Sequence, residues 1–240
     1  MRSRRRLFYF AASIILVLVS TYLLYQISKS RTFQFFGEII PRVETKSKYV
    51  ALTLDDGPVP GATEEILDIL GKSGVRATFF LIGAELEQNP EAGRKIAAAG
   101  HEIGNHTYSH DRMVFKTPAF IASEIERTDD LIRKTGYRGE INFRAPFCKK
   151  LALLPFYLSK HNRKMITWDI EPDSFPEIAV DSKKIIDYVI RSSKPGSIIL
   201  LHAMYPSRRE SLKSIEGIIA GLKQNGYEFK TVSELISSAE

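Results

Sequence analysis

The chain has 240 residues, 44% hydrophobic and 26% charged, enough for one substantial core and no more charge than an ordinary globular protein carries. Its net charge of +6 comes from the first 48 residues, which hold nine Lys/Arg and two Glu. The remaining 25 basic and 26 acidic side chains nearly cancel, which argues against nucleic-acid binding. The single cysteine, Cys148, excludes an intrachain disulfide and any thiol framework for metal or redox chemistry.

Arg2, Arg4, Arg5 and Arg6 precede an uncharged run from Leu7 to Ile27, closed by Lys29 and Arg31. About 20 such residues span the hydrocarbon core of a bilayer. A cleaved signal has a shorter apolar region and a small-x-small cleavage site, and neither is evident. The expectation is a cytoplasmic basic segment at 1–6, a transmembrane anchor at 7–27, and the rest of the chain outside the cytoplasm. A long cleaved signal is the alternative. Residues 28–48 are polar and mixed, with Pro41, and read as a short tether.

From Tyr49 onward, short apolar runs alternate with amphipathic stretches. Strands are expected at Tyr49–Leu54, Ala77–Ile82, Glu102–Asn105, Ile141–Phe143, Met165–Trp168, Ser197–Leu201 and Tyr227–Phe229. Helices are expected at Ala62–Lys72, Pro90–Ala99, Pro118–Lys134, Lys150–His161, Asp181–Ser193, Arg209–Asn225 and Val232–Ser238. Gly74, Gly100, Gly136 and Gly226 fall just past helices, where a left-handed cap favours glycine. Nearly all-apolar strands suit a parallel sheet covered on both faces. About seven β/α units in 49–240 predict an α/β barrel, complete or short of full closure, with its reactive residues at the C-terminal strand ends.

The polar residues follow that rule. The first strand runs into Asp55-Asp56-Gly57-Pro58, where two adjacent carboxylates repel each other and a turn explains only one of them. The third ends at His106-Thr107-Tyr108-Ser109-His110. This i, i+4 pair would place two imidazoles on one side of a helical turn, able to clasp a metal once a carboxylate from another strand completes the set. Two His and one Asp leave positions open, as in a catalytic zinc site. The fourth ends at Arg144-Ala145-Pro146-Phe147, where the guanidinium either clamps an aspartate bidentately or sits solvated at the surface. The fifth ends in Asp169, Glu171 and Asp173, a functional cluster or a hydrated loop. The sixth ends at Leu200-Leu201-His202, and the convergence of the other groups there favours catalysis over packing for His202. His101, at the opposite strand ends, reads as core; His161 closes a helix; Cys148 has no partner base and reads as packing.

Thr53-Leu54-Asp55-Asp56-Gly57-Pro58, His106-Thr107-Tyr108-Ser109-His110, Arg144-Ala145-Pro146-Phe147 and Leu200-Leu201-His202 resemble, in order and spacing, the motifs of the polysaccharide deacetylases, the carbohydrate esterase family 4 with its NodB-like homology domain. The likeness runs from Tyr49 to the C-terminus. It implies a distorted (β/α)7-type barrel and a metal-dependent hydrolase that removes N-acetyl groups from a glycan such as peptidoglycan, an exopolysaccharide or a lipid-linked sugar, releasing acetate. By this resemblance Asp56, His106 and His110 are the metal ligands, Asp55 the general base, Arg144 its orienting partner and His202 the general acid. Phe147 would supply a backbone N–H to the oxyanion, and Leu200 would line the pocket for the acetyl methyl. The ion would be Zn²⁺, although Co²⁺, Ni²⁺, Mn²⁺ and Fe²⁺ also suit these ligands.

Two departures stand out. Phe147 replaces the family's tyrosine. Where the family reads Asp-x-x-Asp-Trp, this chain has Asp169, Glu171 and Asp173 before Ser174-Phe175, so the carboxylate behind His202 is open, with Asp173 first. Two other functions remain open: a non-catalytic glycan-binding module on the same fold, and a hydrolase of an N-formyl or cyclic imide group.

Overall fold

The computed structural model describes residues 2–239. Helix α1 (Arg2–Ser28) carries the apolar run, and its side chains from Leu7 to Tyr25 face outward. Among the described residues it is the one helix long and apolar enough to cross a membrane.

The elements then follow as β1 (Ile39–Ile40), β2 (Tyr49–Asp55), α2 (Ala62–Ser73), β3 (Thr78–Leu81), α3 (Gly83–Gln88), α4 (Pro90–Ala98), β4 (Glu102–Asn105), α5 (Pro118–Lys134), α6 (Leu153–Lys160), β5 (Met165–Ile166), α7 (Pro176–Ala179), α8 (Ser182–Ser192), β6 (Ile198–His202), α9 (Arg209–Gln224), β7 (Glu228–Phe229) and α10 (Val232–Ser237). Parallel pairing gives the order β4-β3-β2-β6, with β7 beside the start of β2 and β1 paired to β5. Single bridges at Asn105–Phe143, Phe143–Met165 and Ile170–Ile199 join these groups.

Strand β2 shows why the sheet is central. Six consecutive residues, Val50 to Asp55, are buried. Val50, Leu52 and Leu54 pack with Ile66, Leu70, Ile215 and Ile219 from the covering helices. Ala51 faces the inner cluster with Phe80, Ile198 and Leu200. Alternation along the strand then puts Thr53 and Asp55 on that inner side. The register sets Asp55 level with Phe80 on one neighbour and His202 on the other.

Most expected helices form within a few residues of their predicted bounds, and the four cap glycines have φ from +59° to +93°. Three differences matter. Ile141–Phe143 forms no strand and contributes only the bridges at Phe143. Helix α3 fills what was expected to be a loop after β3. Residues 28–48, read as a tether, are packed on the domain: β1 pairs with β5, Val43 is buried, and Arg42 bridges Ser197. A two-residue strand has no periodicity to betray it, since its partner lies far along the chain.

Candidate active site

The ends of β2, β4 and β6, with the segments after Phe143 and β5, converge on one cavity of about 490 Å³. Asp55 and Asp56 lie on its floor with His106 and His110; Phe147, Trp168 and His202 form walls; Lys29, Arg31, Lys149 and Arg208 reach it as well.

Arg144 is wholly buried and every part of its guanidinium is engaged. Nη1 donates to Asp55 Oδ1 at 2.6 Å and to Thr53 Oγ1 at 2.8 Å; Nε donates to the Ile166 carbonyl and Nη2 to that of Thr167. Its face lies 4.0 Å over the Phe80 ring. The pairing with Asp55 is therefore through one oxygen, not the bidentate clamp expected, because the other nitrogens hold the β5 segment. Asp55 Oδ2 is left facing His106 Nε2 at 3.7 Å.

Asp56, His106 and His110 present ligand atoms within 4.8 Å of one another. His106 Nδ1–H donates to the Arg144 carbonyl at 2.8 Å, which leaves the Nε2 lone pair pointing at the two aspartates. His110 Nε2 lies 3.3 Å and His106 Nε2 3.8 Å from Asp56 Oδ1. That oxygen is buried and has no hydrogen-bond partner. Burial pushes the Asp56 carboxyl up to about 6, against the opposing charge of His202 and with Asp55 adding to the rise. Burial likewise pulls His106 down to about 3 and lowers His110. An orphaned carboxylate oxygen facing two neutral imidazoles is a donor set that a divalent cation satisfies.

The two histidines meet differently from the expectation. Residues 106–110 form a tight loop, not a helical turn. Thr107 and His110 have φ of +64° and +59°, in the left-handed region that non-glycine residues avoid. Thr107 N–H donates to Asn105 Oδ1, His110 N–H donates to Thr107 Oγ1, and Glu124 Oε2 accepts from both the Tyr108 and Ser109 amides. Glu124, unnoticed in the sequence, was legible as a charged residue on the buried stripe of α5 with Ile121, Ile125 and Thr128. Asp56 (φ +73°) and Phe147 (φ +55°) are held in the same rare conformation, and such strain concentrates at functional sites.

Across the cavity His202 Nδ1–H donates to Asp173 Oδ2 at 2.8 Å, and the His202 backbone N–H meets the same oxygen at 3.2 Å. Asp169 instead accepts from Ser197 Oγ and Ile198 N–H, while Glu171 pairs with Arg31. Burial lowers the His202 pKa, but the Asp173 hydrogen bond and the charges of Asp55 and Asp56 outweigh it, and the net shift is upward. Phe147 is 54% exposed, its ring 4.8 Å from that of His110. Leu200 is buried in the inner cluster and is not among the residues lining the cavity. Trp168, Thr53, Lys29 and Arg31 belong to the site without having been singled out. His101 sits in the core, where its Nδ1 accepts from Ala77 N–H.

The polysaccharide deacetylase family model matches residues 42–166. A peptidoglycan-N-acetylglucosamine deacetylase of Bacillus cereus is 30% identical over 202 residues, covering 83% of this chain and 93% of that one. The peptidoglycan-N-acetylmuramic acid deacetylase PdaC of Bacillus subtilis is 33% identical over 200 residues; the match covers 82% of this chain but only 41% of PdaC. Among solved structures, the Bc1960 peptidoglycan N-acetylglucosamine deacetylase bound to 4-naphthalen-1-yl-N-oxidanyl-benzamide superposes with a TM-score of 0.77 at 30% identity, covering 83% of this chain and 92% of that one.

Proposed function

This chain belongs to the polysaccharide deacetylase family, and from that premise we propose that it is a metal-dependent carbohydrate N-deacetylase acting on an N-acetylated glycan. One observation carries the reading: an Arg144-held Asp55, the Asp56, His106 and His110 triad, and the His202–Asp173 pair all face one cavity.

Asp56, His106 and His110 would hold a divalent ion, zinc best matching two imidazoles and a carboxylate, which would supply Lewis acidity toward the acetyl carbonyl and toward water. The chain's own groups handle the protons. Arg144 occupies Asp55 Oδ1, so Oδ2 is the oxygen that accepts the proton of the attacking water. The Phe147 amide N–H donates to the oxygen on which negative charge develops. Asp173 holds His202 Nδ1–H, which leaves Nε2–H to donate to the departing amine. Acetate and a free amino sugar leave.

The remaining features support a consistent setting. The strand pairings and single bridges suit a distorted, incompletely closed (β/α) barrel. Residues 1–6 are read as cytoplasmic and 7–27 as a single-pass anchor, with residues 28–48 linking it to a catalytic domain at 49–240 that lies outside the cytoplasm.

Metal analysis of the full-length protein, coupled to acetate release from a panel of N-acetylated glycans, tests the reading. The expected result is a bound divalent metal and acetate release that a chelator abolishes. Metal bound with no acetate from any glycan would instead favour a binding module, and formate release in place of acetate another amide.

A further inference from the structure

The residues that follow the apolar helix are built into the rim of the cavity. The Ser28 carbonyl accepts from Lys150 N–H at 3.0 Å, the Ser30 carbonyl accepts from Lys150 Nζ, and the Arg31 carbonyl accepts from Thr167 Oγ1 at 2.7 Å. The Arg31 guanidinium pairs with Glu171 at 2.6 Å and lies 4.8 Å over the Trp168 ring. Lys150 is fully buried, so its ammonium depends on the Ser30 carbonyl it holds. These contacts fasten the end of α1 to the wall that carries Phe147 and Trp168.

A second observation concerns what surrounds that junction. Phe33, Phe35, Phe36 and Phe156 form two edge-to-face pairs, Phe33 with Phe35 at 5.7 Å and Phe36 with Phe156 at 5.4 Å, yet all four are 43–49% exposed. Exposed aromatic clusters are unusual on a water-facing surface, and next to a helix long and apolar enough to cross a bilayer they match the aromatic belt of the headgroup region. Tyr25, near the end of α1, lies against Lys149 of the rim.

A third observation distinguishes the cations at the rim. Arg31 faces Glu171, and Arg208 lies 3.9 Å from Asp173. Lys29 and Lys149 flank the Tyr25 ring at 4.7 and 4.6 Å, and among the described residues neither is ion-paired. Both line the cavity. Two ammonium groups that share the Tyr25 ring and face no carboxylate partner among the described residues are suited to an anion beside the end of α1.

We propose that the cavity opens onto the membrane surface and takes an N-acetylated amino sugar carried on a lipid phosphate, with Lys29 and Lys149 holding the phosphate while the sugar reaches the floor. This deepens the deacetylase reading and rests on it. The occupant is argued from chain continuity: the rim begins where the apolar helix ends, so a lipid-borne group arrives beside it without leaving the bilayer.

The test uses the full-length, zinc-loaded protein in phosphatidylcholine vesicles with three probes: polyprenyl-diphosphate-linked N-acetylglucosamine in the same vesicles, water-soluble N-acetylglucosamine 1-phosphate, and N-acetylchitotetraose. Acetate release from the lipid-linked probe should exceed that from chitotetraose by at least about tenfold in kcat/KM. The lipid-free sugar phosphate should fall well below the lipid-linked probe, which separates phosphate recognition from delivery by the membrane. Lys29→Gln/Lys149→Gln should raise KM for the lipid-linked probe by about tenfold with zinc content as in wild type, and Lys29→Arg/Lys149→Arg should restore it. Chitotetraose turned over as well as the lipid-linked probe, or an unchanged KM in the Gln variant, overturns the proposal while leaving the deacetylase reading intact. No acetate from any probe removes both.

Discussion

The two ends of the same parallel strands each bury a carboxylate, and the two carboxylates meet different partners. At the closed end Glu102, which opens β4, accepts from Thr78 Oγ1, Asn142 Nδ2, Ser233 N–H and Ser233 Oγ at 2.8–3.0 Å. At the open end Asp56 Oδ1 is as thoroughly buried and has no donor. Its neighbours are the side chains of His106 and His110, the first of which has its other ring nitrogen committed to a carbonyl. At the closed end the Glu102 carboxylate is satisfied by the protein alone, and only the neutral Asn142 Oδ1 beside it lacks a partner. The open end presents a donor set that a cation would complete. Neither burial nor a missing partner by itself sets the open end apart; a carboxylate oxygen buried without a donor and facing two imidazoles does.

Asp56→Ala is the hardest test of that contrast. It should empty the metal site and lower kcat/KM by on the order of 10⁴-fold, since a metal supplies several kcal/mol to the transition state. Elemental analysis and acetate release read the two effects separately. Asp55→Asn should retain metal and lose about 10³-fold in kcat, the usual worth of a positioned base. Near wild-type turnover in Asp55→Asn would show that the water's proton goes elsewhere.

The closed end should answer oppositely. Glu102→Ala strands the donors of Thr78, Asn142 and Ser233 and should cost about 3 kcal/mol of stability in denaturant unfolding. Metal content and kcat of the remaining folded protein should be those of wild type. Metal loss from a folded Glu102→Ala protein would mean that the two ends are coupled through the strands and do not act independently.

How much of this was legible in the sequence depended on distance along the chain. Asp55 at a strand end, Glu102–Asn105 as a strand and Pro118–Lys134 as a helix rest on local pattern, and the structure has them. The pairing of His106 with His110 was legible but its cause was not. The spacing suggested a helical turn, whereas a left-handed loop braced by Glu124 brings the rings together. Leu200 was expected to line the pocket; it shares the inner face with His202 but lies two residues deeper along β6, packed with Ala51 and Phe80. The largest gap was the segment from Lys29 to Ile40. Nothing in its composition announces that Arg31 will meet Glu171 or that Ile40 will pair with Ile166, because partners more than 100 residues away decide both.

Asp173 is where the open end can be tuned without being dismantled. Of the three acids that follow β5, it alone reaches His202 Nδ1. Burial by itself would lower the His202 pKa, and the Asp173 hydrogen bond leads the contributions that reverse it. In the proposed role of acid His202 must be protonated to serve the leaving amine, so activity should fall as pH rises through that pKa. Asp173→Asn removes the negative charge and keeps the shape, so burial counts for more and the alkaline limb of kcat should move to lower pH. At the plateau the loss should be modest, about 10- to 100-fold, typical of a group that acts through another. Metal content should not change, because Asp173 is not in the triad. An alkaline limb that stays where it is in Asp173→Asn would mean that His202 owes its proton to Asp55 and Asp56 instead. The metal centre and the acid would then form one electrostatic unit, not two groups facing each other across the cavity.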